Sequence, residues 1–186
     1  MKKLLLLLSI FVVLNQPVFA QSFNGVPISG NINEAVNKFK AKGFKFIKKE
    51  GNSYVFSGKV FNEVVELYLL ASPYTKQYVK CSIFFPESAW LTLKRDYNKY
   101  VELFVEKYGY HTGQIENFID PYYEGDGYEL NALELEKCVY GTYWVRDDVS
   151  MLIEISKYKQ VKIVYENNKL MDVFQKELQR QQFNSY

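Results

Sequence analysis

The chain has 186 residues, with 23 Lys+Arg against 21 Asp+Glu and a single His. One histidine excludes multi-histidine zinc sites, H-E-x-x-H proteases and two-histidine iron centres within one chain. No G-x-S-x-G elbow, C-x-x-C pair, G-x-G-x-x-G loop or G-x-x-x-x-G-K-[ST] loop is present, so the reading carries no catalytic residue, cofactor or metal.

The first twenty residues have the three parts of a secretory signal: Lys2 and Lys3, an apolar run from Leu4 to Leu14, and Val18-Phe19-Ala20 before a cleavage point after Ala20. The run is shorter than the roughly 20 residues of a transmembrane helix. The expectation is export to the periplasm or medium, with no membrane insertion after cleavage. Without Lys2 and Lys3, basic and acidic side chains balance at 21 each, which leaves no electrostatic footprint for nucleic acid. Residues 21–186 are expected to form one domain. Cys81 and Cys138 enter a compartment that permits disulfides, and both readings stay open for them, one bridge or two buried thiols.

Residues 25–30 read as an entry loop. A short helix follows from Asn31 to Lys42, with Ile32, Ala35, Val36 and Phe39 on one face, Asn31 and Glu34 in capping positions and Gly43 as the stop. Phe44 can fold back onto it. Strands are predicted at Phe44 to Lys49, Ser53 to Lys59, Glu63 to Ala71 and Lys76 to Phe85. A long helix from Ser88 to Tyr108 carries Trp90, Leu93, Tyr97, Tyr100 and Phe104 at threes and fours. Strands return at Gln114 to Ile119, Cys138 to Val145, Val149 to Ser156 and Val161 to Tyr165. A closing helix from Asn168 to Gln182 places Leu170, Phe174 and Leu178 on one stripe. The order predicts an α+β fold, an antiparallel sheet of six or more strands covered by helices. Two half-repeats of a degenerate tandem duplication fall at about 31–85 and 88–182, supported by the similar helix ends at 39–44 and 104–110.

The G-V-P-I-S-G opening, A-K-G-F at 41–44, the spacing from Trp90 to Tyr97 and K-Y-G at 107–109 resemble a group of uncharacterised exported proteins of Gram-negative gut bacteria. The likeness covers most of the mature chain; it implies export and brings no activity with it. The tandem helix-plus-sheet plan is similar to that of the secreted β-lactamase inhibitor proteins, an analogy of fold alone.

His111, just after the long helix, reads as an exposed loop residue. The richest stretch of polar and aromatic groups is Asp120 to Glu129, where acids alternate with tyrosines and glycines. Tyr122, Tyr123, Glu124, Asp126 and Tyr128 are the candidate binding residues. The competing structural reading makes Asp126 the cap of a short helix with Glu129 three residues on. The stretch lacks calcium-loop spacing. The leading functional expectation is a non-catalytic exported binding or interaction module, inhibitor- or immunity-like, whose partner is a protein or glycan of the cell envelope. The alternative is a small carboxylate-dependent glycan hydrolase, since such chemistry needs only two acids at a fixed separation.

Overall fold

The structure, a computed structural model, describes residues 22–183; the leader and its cleavage point lie outside them. Ser22–Phe23 (β1) and Val26–Pro27 (β2) pair as a small hairpin. Asn24 and Gly25 between them have φ of 49° and 70°, the two positive values that an Asn-Gly pair accepts in a tight turn. The entry loop expected at 25–30 thus begins with the second strand of a hairpin, since two-residue strands carry no alternation. Its Phe23 stacks on Phe39 at 6.0 Å and lies tilted against Tyr165 at 5.7 Å.

Helix α1 (Ile32–Ala41) starts where the Asn31 side chain accepts the Asn33 N–H at 2.9 Å. Its other end is a full Schellman closure: Gly43 (φ 86°) donates to the Lys40 carbonyl and Phe44 to that of Phe39. The Phe44 ring then meets Phe39 edge-on at 5.5 Å, as the spacing predicts.

Four antiparallel strands follow as a meander: Lys45–Glu50 (β3), Ser53–Val60 (β4), Glu63–Ala71 (β5) and Tyr78–Phe84 (β6). Helix α2 (Trp90–Tyr108) opens the second half. It is followed by Gly113–Phe118 (β7), the short helix Glu129–Glu134 (α3), Cys138–Arg146 (β8), Val149–Ser156 (β9), Gln160–Asn167 (β10) and the closing helix Asn168–Phe183 (α4). The fold is α+β, with one eight-stranded antiparallel sheet in the order β3-β4-β5-β6-β10-β9-β8-β7. Each helix-led half thus contributes four consecutive strands, and the last strand of each, β6 and β10, form the seam. Among the described residues α2 is the longest helix, as expected from its periodicity.

The two sequence-similar helix ends are built differently. Tyr110, after Gly109, is 83% exposed, whereas Phe44 is buried. At the α2 end β8 supplies donors to the last helical carbonyl and the two that follow it: the Arg146 guanidinium to Tyr108 O and Tyr110 O, and the Trp144 indole to Gly109 O at 2.9 Å. Side chains of a neighbouring strand replace the aromatic fold-back.

Register places one row of side chains across the inner face: Phe46, Phe56, Leu67, Ile83, Ile163, Ile153, Thr142 and Gln114, one from each strand. Helices α1, α2 and α3 bury their apolar faces in the same cluster. Thr142, the one hydroxyl in the buried part of the row, is bonded to Tyr97 Oη at 2.5 Å, which satisfies two polar groups that would otherwise be costly to bury.

The same register decides the cysteines. Both face the inner cluster and both are free thiols. Strands β6 and β8 stand three strand spacings apart, about 14 Å at roughly 4.8 Å each, whereas a disulfide needs Cα atoms within about 7 Å. Of the two readings of Cys81 and Cys138, the bridge is therefore ruled out. Burial pushes the Cys81 thiol well up, and burial together with the Glu129 charge pushes Cys138 up to about 12, so neither is a ready nucleophile.

Helix α4 packs on β6 and β10. Of the expected stripe only Phe174 is buried, with Leu170 and Leu178 half-buried; the other buried residue is Glu177. Its carboxylate accepts the backbone N–H of Tyr74 at 2.7 Å and of Thr75 at 3.3 Å, clamping α4 to the turn between β5 and β6. Burial raises the Glu177 carboxyl, but the donors from Tyr74 and Thr75, with Arg180 nearby, outweigh it and leave the group below the usual carboxylate range.

Replacing Trp90 or Phe104 with Ala is expected to cost about 3–5 kcal/mol, the range for deleting a buried aromatic, read from urea unfolding midpoints. Because the Glu177 carboxyl is depressed in the folded chain, its stabilising contribution is present above the unfolded value and fades as pH falls through the lower folded value. Amide exchange at Tyr74 and Thr75 should therefore accelerate as pH is lowered below about 4.5 relative to other amides, and Glu177→Gln should remove that difference.

Candidate functional site

The sheet's outer face, turned away from the α1–α2 cluster, is set by the same pairings read at the alternate positions. One row runs Val55, Tyr68, Ser82, Val164, Leu152, Tyr143, Gly113; a second runs Ser57, Glu66, Phe84, Lys162, Glu154, Gly141, Ile115. The two ends of these rows differ in chemistry. Towards β5, β6 and β10 the face is charged and aromatic, and towards β8 and β7 it is apolar.

On the charged side, Lys80 pairs with Glu166 at 2.8 Å and Lys162 with Glu154 at 2.6 Å, both directly across strand pairs. Tyr68 meets the Phe84 ring edge-on at 5.3 Å and donates its hydroxyl to Glu66 at 2.9 Å. The Lys162 ammonium lies 5.6 Å from the Phe84 centroid. Burial, the bond to Glu66 and the charges of Glu66 and Glu50 push the Tyr68 phenol up, so it stays a neutral donor. Of these, Lys80, Lys162, Tyr68, Phe84 and Glu66 border a concavity of about 590 Å³, with Ser53, Leu70, Glu87, Tyr158 and Gln160 completing its wall and the buried Ser82 lying within it. A neighbouring recess of about 340 Å³ shares Phe84, Tyr158 and Lys162 with it.

On the apolar side, Ile115, Val139, Tyr143 and Val145 are exposed by 54, 45, 39 and 46%. Two glycines flatten this strip. A Cβ on Gly113 would stand 2.6 Å from the Tyr143 ring, which lies across it, and one on Gly141 would touch Leu152 at 3.6 Å. No residue of either side was singled out as a site from sequence. The solvent-facing positions of each strand are visible there as the polar half of an alternation, but which strands stand side by side is not.

The 120–129 loop lies elsewhere, between β7 and α3. Asp126 and Glu129 are engaged in holding its shape. Asp126 accepts the N–H groups of Tyr123 at 3.1 Å and Tyr128 at 2.7 Å, and Glu129 reaches back to the Gly125 N–H at 2.9 Å. The capping expectation is corrected: α3 begins at Glu129 with Tyr128 as its N-cap and no side-chain cap bond, two residues later than Asp126 would have set it, and the bonds of Asp126 and Glu129 brace the loop backbone instead. Glu124 pairs with Lys94 of α2 and accepts the Tyr140 hydroxyl at 3.2 Å, tying the loop to both layers. Tyr122 packs half-buried against the core, whereas Tyr123 and Tyr128 are 64 and 62% exposed. Of the five candidates, only these two tyrosines present unengaged side chains to solvent. His111 is half-buried rather than exposed, with its ring edge-on to Trp144 at 6.1 Å.

Among the described residues, no three His, Cys, Asp or Glu side chains gather as metal ligands, and no helix is long and apolar enough to cross a membrane. No family model, curated protein or solved structure matches the chain.

Changing Tyr123 and Tyr128 together to Ser should leave the melting temperature unchanged, because their rings stand in water. Tyr122→Ser alone should lower it, because roughly 1–3 kcal/mol of stability is lost with its packing. A fall of that size for the exposed pair would show that the two rings are packed.

Proposed function

We propose that the chain is an exported, non-catalytic binding module that holds a cell-envelope ligand against the outer face of its sheet. The observation that supports this reading is the 590 Å³ concavity over β5, β6 and β10. Ligand sites of this size combine apolar walls with a few fixed polar groups, and here Tyr68, Phe84 and Tyr158 supply the rings while Lys80, Lys162, Glu66, Glu87 and Gln160 supply donors and acceptors. That mixture suits a hydroxyl-rich ligand, so of the two partner classes a glycan fits the concavity better and a protein fits the apolar strip. The exposed Tyr123 and Tyr128 form a separate contact point at the loop.

One observation favours a second reading: two carboxylates, Glu66 and Glu87, line the same concavity, as a carboxylate-dependent glycan hydrolase would require. Soluble peptidoglycan fragments, titrated calorimetrically and then analysed by mass spectrometry, separate the two. The module binds the fragments and returns them intact, and Tyr158→Ala weakens binding about tenfold, about 1.4 kcal/mol, without altering the melting temperature. The hydrolase shortens them, and Glu66→Gln or Glu87→Gln stops the shortening. Absence of both binding and cleavage would overturn the glycan reading.

A further inference from the structure

The eight-stranded sheet has two edges, and they are treated unequally. Strand β3 carries Lys45, Lys48 and Lys49 and a bulge between Phe46 and Lys48, devices that discourage a further strand from pairing. Strand β7, G-Q-I-E-N-F, has no lysine, no proline and an unbroken six-residue register against β8.

Hydrogen bonding shows which groups β7 leaves open. Ile119 donates to the Lys137 carbonyl at 2.8 Å, in the same register that continues through β7. Bonded and non-bonded pairs alternate along an antiparallel ladder, so Asn117, Ile115 and Gly113 turn their backbone groups towards β8. The N–H and C=O of Gln114, Glu116 and Phe118 therefore point away from the sheet. The Val145 N–H, facing β7 just past its end, is met by the Thr112 hydroxyl at 2.9 Å, in keeping with this alternation.

We infer that β7 pairs antiparallel with β7 of a second copy about a dyad at Ile115, joining the two sheets edge to edge. The register follows from the side chains. Centred on Ile115, the bonded pairs are Gln114 with Glu116 of the second copy and the reverse, giving four backbone hydrogen bonds and setting each carboxamide beside a carboxylate it can donate to. Gln114 already makes such a bond to Glu116 within one chain. The two Ile115 side chains meet at the non-bonded pair, where opposed side chains are closest, and extend the apolar strip of Tyr143, Val139 and Val145 across the dyad. Centring on Glu116 would oppose two carboxylates, which is destabilising. Centring on Gln114 would leave Ile115 facing Gly113. The sequence is thus self-complementary in one register, and the unguarded edge adjoins the exposed apolar strip. This inference is independent of the ligand proposed above.

Sedimentation of the full chain from about 1 to 100 µM should show a reversible dimer. Ile115→Lys, which opposes two ammonium groups at the dyad, should raise its dissociation constant at least tenfold while leaving the melting temperature measured at monomeric concentration unchanged, since Ile115 is exposed within one chain. Ile115→Cys should give a covalent dimer under mild oxidation, because opposed residues of a non-bonded pair come within disulfide reach; Asn117→Cys should not, since Asn117 faces Gly113 of the second copy. A chain that stays monomeric throughout with no Ile115→Cys cross-link, or a dimer insensitive to Ile115→Lys, would overturn the inference. A cross-link that forms as readily through Asn117→Cys would overturn the register.

Discussion

The pairing of β6 with β10 is the constraint on which the rest of the molecule depends. Ile83 opposite Ile163 and Cys81 opposite Tyr165 fix how the two four-stranded units align. Once they align, every cross-sheet row follows by simple counting. A slip of one residue at that seam would send the buried set of one half to the outer face. It would also pull the Tyr100 hydroxyl of α2 away from Glu63 of β5, to which it donates at 2.9 Å, and leave that buried hydroxyl without its partner. Helix α2 reinforces the alignment because, packed on β9 and β10 of its own half, it also sends Tyr100 across to Glu63 and Phe61 of the first half.

The seam also explains why the outer face has two characters. Each half contributes its own solvent-facing residues, but only across β5, β6, β10 and β9 do they meet as opposite charges, Lys80 with Glu166 and Lys162 with Glu154. These pairs are partly exposed, so water screens much of their attraction. Their effect is to keep long side chains lying across the face, with the Lys162 ammonium drawn to the Phe84 ring. Farther along, the glycines at 113 and 141 remove side chains and let Tyr143 and Leu152 lie over the gaps. A patterned surface thus arises from pairing alone, without any loop excursion.

Much of the fold was legible in the chain. The alternation of Val65, Leu67, Leu69 and Ala71, and of Val149, Met151, Ile153 and Ile155, marks strands with one buried face, and those residues are buried. The spacing of Trp90, Leu93, Tyr97, Tyr100 and Phe104 marks a helix with one buried stripe. Less legible was whatever depends on neighbours distant in sequence. Arg146 reads as a turn residue, yet it donates to the last α2 carbonyl, that of Tyr108, because β8 runs beside that helix end. The concavity draws on β4, β5, β6 and β10, so no window of sequence contains it. In the 120–129 loop the sequence offers both a binding and a capping reading. The hydrogen bonds of Asp126 and Glu129 brace the loop's own backbone rather than cap α3, whose N-cap is Tyr128, and Tyr123 and Tyr128 are left facing water.

The seam has a consequence for how the chain reaches this state. Within each half, strands pair with their sequence neighbours through short turns, and such contacts form quickly. The seam joins Ile83 to Ile163, about 80 residues apart, and its closure entropy must be met before the contact returns anything. During synthesis the first half is complete while β10 is still unmade. In that interval β6, whose residues Tyr78, Val79, Cys81 and Ile83 are destined for full burial, is an open apolar edge with only Lys80 to discourage a stray strand. The strand that ends as the most sheltered in the sheet is therefore the one most exposed to mispairing on the way there, and the interval ends only when the last strand of the sheet arrives.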